Sequence, residues 1–256
     1  MRDILEELGE GNDPYRQVQK AMRTPLPKRF YKDVTVAPSE HGFAVLLDGK
    51  QVRTPARNLL ELPTEAAAQV IANEFAAQAE EINPALMPAT RLSNTVIDGI
   101  APDPQPIIED IVRFAGSDLL CYRASAPREL VERQAAHWDR VIDWYRDAQG
   151  ANFILAEGVI HVAQPREAMA VFNAIANRHA DSFKLGCIHM FATLTGSAML
   201  ALAIAEGFLT VDEAWQAASV DEDWNVAHWG TDPEAEQRRA ARKREMDAAG
   251  ALLAAL

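Results

Sequence analysis

Residues 220–236 read Val-Asp-Glu-Asp-Trp-Asn-Val-Ala-His-Trp-Gly-Thr-Asp-Pro-Glu-Ala-Glu. They hold six carboxylates, two tryptophans and no Lys or Arg. Five cations follow at once: Arg238, Arg239, Arg242, Lys243 and Arg244. Two chemistries fit this order. A helix start prefers acids at its positive end and bases further along, which accounts for Asp232, Glu234 and Glu236. It accounts less well for Asp221, Glu222 and Asp223, which precede Gly230. Carboxylates beside the aromatic anchors Trp224 and Trp229 also suit a recognition surface for a basic or apolar partner. Spacing alone leaves both readings open.

Signs of catalysis are sparse. No GxGxxG or P-loop is present, and Thr195-Gly196-Ser197 lacks the flanking glycines of a nucleophile elbow. That glycine is expected to let two helices approach closely. The histidines are His41, His137, His161, His179, His189 and His228, with no i, i+4 pair and no H-E-x-x-H. Asp98 and Asp118 sit near segment ends, where capping is the simpler role. A small metal-dependent hydrolase would need His161, His189 and a carboxylate to converge in a pocket. A generic protein-interaction scaffold is a further alternative.

Composition narrows the classes. The 256 residues are 48% hydrophobic and 24% charged, enough for a sizeable core. A net charge of −12 argues against nucleic acid, whose binders carry a basic face. Cys121 and Cys187 stand apart and are expected as reduced, buried thiols. The N-terminus shows neither a signal peptide nor a basic transit peptide, so a cytoplasmic location is expected. Leu185 to Ala205 is nearly all apolar or small, but His189, Thr193, Thr195 and Ser197 interrupt it. A buried central helix is expected there, with no stable membrane insertion.

These residues need elements to position them. Residues 3–22 are expected as a short amphipathic helix. Short strands follow over 29–62, with Asp48-Gly49 as a hairpin turn. Thr64 is expected to cap a helix that ends before Asn83-Pro84. Residues 85–100 read as a connecting helix, and Pro102, Pro104 and Pro106 mark a boundary. Beyond it, helices are expected at 107–115, 127–148, 165–180, 183–206, 210–218 and 233–255. Thr210 and Glu213 form a capping box. Residues 152–163 carry a hairpin signal around Glu157-Gly158. The expected fold class is α+β: an N-terminal α/β domain with an antiparallel sheet over 1–100, then a mainly helical domain over 107–256.

Several strings carry a resemblance: RFYKDVTV (29–36), FAVLLDGKQVRTP (43–55), TRLSNTVID (90–98) after Asn83-Pro84, SDLLCYRA (117–124), LTGSAMLALA (194–203) and VDEDWNVAHWG (220–230). In this order they resemble the assembly-chaperone family that acts on the alpha subunit of the F-type ATP synthase in mitochondria and alphaproteobacteria. The resemblance implies an α/β domain followed by an orthogonal helical bundle. It implies transient binding of the unassembled alpha subunit, no catalysis and no cofactor, with a monomer as the natural state. Eukaryotic relatives act in the mitochondrial matrix. It places partner binding at Glu222 above all, then Asp221 and Asp223, with Trp224 and Trp229 beside them. A sensitive aromatic of the family matches Phe75, where the family often has Trp; Phe75 is taken as packing.

Overall fold

The structure is a computed structural model that describes residues 26–158 and 160–256; the expected helix over 3–22 lies outside them. β1 (Val34–Ser39) and β2 (Gly42–Leu47) form an antiparallel hairpin in register from Val34↔Leu47 to Ser39↔Gly42. β3 (Lys50–Gln51) follows the Asp48-Gly49 turn and pairs with β2. β4 (Glu61–Leu62) pairs with the start of β2. Gly42 is required at that crossing: its φ is +144°, and a Cβ would stand 2.2 Å from the Leu62 carbonyl oxygen.

α1 (Glu65–Ala76) covers β1 and β2. Thr64 caps it, its Oγ1 accepting from Ala67 N at 3.0 Å. Ala67, Ala68, Ile71, Ala72 and Phe75 recur at helical spacing and form the buried face. Phe75 is packing: it lies edge-on to Tyr31 at 6.0 Å, and the Tyr31 hydroxyl donates to the Phe75 carbonyl at 2.7 Å. The connecting segment is a 3₁₀ turn (Pro84–Leu86), then α2 (Pro88–Thr95), then one wide turn over Val96–Ile100. Glu74 receives the start of α2, accepting from Ala89 N at 2.8 Å and Thr90 N at 2.7 Å.

After the proline-rich link come α3 (Gln105–Ala115), β5 (Tyr122–Arg123), α4 (Arg128–Gln149), β6 (Ala156–Glu157) and α5 (Arg166–Arg178). Among the described residues the hairpin expected around Glu157-Gly158 does not form. Ala156–Glu157 instead pairs in parallel with Tyr122–Arg123, and Gly158 N donates to the Arg123 carbonyl at 3.1 Å.

The long apolar segment is two helices, α6 (Ser182–Thr195) and α7 (Ala198–Ala205), where one was expected. Gly196 ends α6 with φ +68°, and Ser197 caps α7 by accepting from Leu200 N at 3.0 Å. The glycine serves backbone conformation, not close approach, because a Cβ there would meet nothing within 4 Å. Close approach occurs at Gly186, where a Cβ would stand 2.4 Å from Val96 Cγ2. α8 (Val211–Ala218) carries the expected Thr210–Glu213 capping box. α9 (Val220–Trp229) and α10 (Pro233–Ala255) complete the bundle.

α10 runs back across α6, α2 and α1, burying Met246, Ala249 and Leu252. Arg91 pairs with Glu245 at 2.6 Å, and the Thr64 hydroxyl donates to the Ala255 carbonyl at 2.5 Å. One buried apolar cluster runs from Tyr31 to Leu252 and includes both cysteines. Burial pushes both thiols up to about 12. Among the described residues no helix is long and apolar enough to cross a membrane.

Candidate functional site

α9 begins without a side-chain cap, since Ser219 makes no capping bond, and it stops at Gly230, whose φ is +84°. Asp221, Glu222 and Asp223 therefore occupy the first turn of a helix of their own. This corrects one premise of the sequence reading. The helix dipole favours these three acids just as it favours those of α10, so lying before Gly230 does not set them apart. What distinguishes them is their partners.

Asp221 Oδ1 accepts from Gln134 Nε2 at 2.8 Å. The buried Gln134 in turn accepts from Ala124 N at 2.8 Å. Asp223 pairs with Arg239 on α10. That hydrogen bond, aided by the charges of Asp223 and Glu222, outweighs desolvation and raises the Arg239 pKa. Glu222 makes no hydrogen bond or ion pair among the described residues. It lines a groove of about 350 Å³ between α9 and α10, together with Trp215, Val226, Glu236, Arg239 and Lys243. Both cations of the groove are occupied, Arg239 by Asp223 and Lys243 by Asp212 and Asp247. The uncompensated charge at the groove is thus negative.

The two tryptophans differ. Trp224 is half-buried and stacks on His228 with ring centroids 4.0 Å apart. His228 Nδ1 donates to the Trp224 carbonyl at 2.8 Å, one turn back. The Trp224 indole nitrogen is buried and has no acceptor among the described residues. Trp229 is 82% exposed at the end of the helix. In contrast Trp138 is fully buried and donates to the Ala217 carbonyl at 2.7 Å, and Trp144 stacks on Phe208 at 4.8 Å.

Asp232 caps α10, accepting from Glu234 N at 3.1 Å, and Glu234 pairs with Arg238 at 2.6 Å. The helix-start reading holds for that half of the segment. The residues a metal site would need are engaged separately: Tyr122 hydrogen-bonds His161 at 3.1 Å and Asp110 pairs with His189 at 2.8 Å. No group of three or more His, Cys, Asp or Glu side chains gathers to hold a metal among the described residues. Asp98 accepts from Thr54 Oγ1 at 2.6 Å and Asn58 Nδ2 at 2.9 Å, which depresses its pKa and fixes the loop after β3. Asp118 is fully buried and accepts from Ser197 Oγ at 2.6 Å, Met199 N at 2.9 Å and Leu120 N at 3.1 Å. Asp118 caps, as its position suggested; Asp98, inside the Val96–Ile100 turn, instead braces a loop forty or more positions earlier, accepting from Thr54, Ala56 and Asn58. Sequence reasoning missed Gln134 and Arg239, the partners of Asp221 and Asp223. They lie 87 and 16 positions away, and no local pattern links them.

The profile of the ATP12 chaperone protein family matches residues 28–146. A candidate chaperone from Agrobacterium tumefaciens is 51% identical, with a TM-score of 0.87 over 100% of this chain and 97% of its own. Atp12 from Paracoccus denitrificans is 37% identical, with a TM-score of 0.82 over 90% of this chain and 98% of its own. An aspartate-to-lysine variant of the Paracoccus protein matches at 36% identity and a TM-score of 0.81, covering 90% of this chain and 97% of its own. These relatives agree with the family profile: one is a candidate chaperone and the other two are Atp12 proteins. The chain belongs to the ATP12 chaperone family.

Proposed function

We propose that this protein holds the unassembled alpha subunit of the F-type ATP synthase and prevents its aggregation until assembly. It does so as a cytoplasmic monomer, without catalysis or cofactor. The observation that carries the reading is the Glu222 carboxylate in the α9–α10 groove, without a hydrogen bond or ion pair among the described residues and on the same short helix as the exposed Trp229. An unassembled subunit exposes apolar surface that would otherwise self-associate. Trp224 and Trp229 supply apolar cover, and Glu222, with Asp221 and Asp223, sets orientation and encounter rate against basic groups of the client. A holder must also release, which suits a small, partly polar contact.

Light scattering of isolated alpha subunit tests this. The protein suppresses aggregation at near-stoichiometric ratios, and the double substitution Asp221→Asn with Glu222→Gln weakens that suppression severalfold. Unchanged suppression by the double variant would remove α9 from the function. Failure of the unaltered protein to suppress aggregation would remove the alpha subunit as client.

A further inference from the structure

The three acids in the first turn of α9 point in different directions. Successive helical residues turn by about 100°, so Asp221 and Asp223 flank Glu222 on opposite sides. Asp221 reaches α4, where it accepts from Gln134, and Asp223 reaches α10, where it pairs with Arg239. Glu222 lies between them and lines the α9–α10 groove with Val226. Trp229, seven positions on from Glu222, continues the same stripe of the helix.

Little else holds that stripe in place. Val220 is the one buried residue of α9, and residues 227–230 are all exposed. Past the first turn the one polar tie to another element, among the described residues, is His228 to Glu129 of α4, 4.0 Å apart. Arg239 and Asp223 are both partly exposed, where an ion pair contributes little. Gln134 is a firmer anchor. It is 3% exposed, and both ends of its amide are used: Oε1 accepts from Ala124 N beside β5, and Nε2 donates to Asp221. The backbone N–H can only donate, which fixes the amide's orientation and turns its own donor toward α9.

We infer that Gln134 is a positioning residue for client binding. It locks Asp221, and through it the first turn of α9, so that Glu222 and Trp229 are presented together. Asp221 contributes to capture through this bond rather than by touching the client. The role rests on α9 being the client-binding element.

Four variants test it, read by amide hydrogen exchange in α9 and by light scattering of isolated alpha subunit. Gln134→Met removes the donor, and Asp221→Ala removes the acceptor at a half-buried position. Each speeds α9 exchange about tenfold, leaves α6 and α7 protected, and weakens suppression of aggregation severalfold. Asp221→Asn loses the charge but keeps an acceptor for Gln134, and it behaves like the parent. Gln134→Glu combined with Asp221→Asn rebuilds the bond in reverse, the Asn amide donating to the new carboxylate, and recovers both readouts. Circular dichroism confirms that each variant folds. The role of Gln134 is overturned if the two bond-breaking variants suppress like the parent, if Asp221→Asn is as weak as Asp221→Ala, or if the folded reciprocal pair recovers nothing. An unaltered protein that fails to suppress is a different result: it removes the client, and the positioning role with it.

Discussion

The α6–α7 pair and α9 lie close together along the chain and are built to opposite standards. Ala198 to Ala203 have no exposure at all, and the polar groups around them are matched. Asp118 takes Ser197 Oγ and Met199 N, while Thr195 Oγ1 donates to the Phe191 carbonyl at 2.7 Å. α9 buries Val220 alone, leaves the Trp224 indole nitrogen unmatched and presents Trp229 to solvent. One region has used its capacity for contact within the fold. The other keeps it available, which is what a transient binding surface requires.

The largest test removes a ring from the first region. Phe191→Ala leaves a cavity where nothing was exposed, and urea unfolding should show a loss of about 3–5 kcal/mol. Asp118 should follow. Burial raises its carboxyl to about 6, against the hydrogen bonds from Ser197, Met199 and Leu120 that lower it. The folded chain then binds this proton more tightly than the unfolded chain, so the contribution is whole below about pH 4 and is lost as pH rises through 6. Relative to Asp118→Asn, the parent should lose on the order of 3 kcal/mol across that window. Identical pH slopes for the two proteins would contradict this.

Gly186→Ala drives a methyl into Val96 and should cost about 1–3 kcal/mol in the same unfolding measurement. The smallest change in stability belongs to α9. Trp229→Ala should alter unfolding by no more than about 0.5 kcal/mol while weakening suppression of alpha-subunit aggregation. A loss at Trp229 comparable to that at Phe191 would collapse the contrast between the two regions.

Sequence showed the parts governed by local rules. Thr64 as a cap, the Thr210–Glu213 box and the Asp48-Gly49 turn each rest on residues within a few positions. The α+β order was legible for the same reason. β5 and β6 were not, because two-residue strands more than thirty positions apart carry no periodicity. The break at Gly196 was hidden by apolar residues on both sides, which satisfy one buried helix as well as two. At α9 the composition was plain, but its separate helical state was not, since Ser219 supplies no capping bond. Which acids would be consumed by Gln134 and Arg239 depended on distant packing.

The bond from Thr64 to Ala255 joins positions 191 apart and ties the cap of α1 to the end of α10. During synthesis the sheet and α1 emerge early, but the helix that covers part of them is made after every other described element. The N-terminal layer thus waits for the last described helix before its packing is complete. A ribosome stalled before Pro233 would carry a chain whose α1 and α2 lack their α10 neighbour, and pulse proteolysis of such stalled chains should cut there more readily than in the released protein.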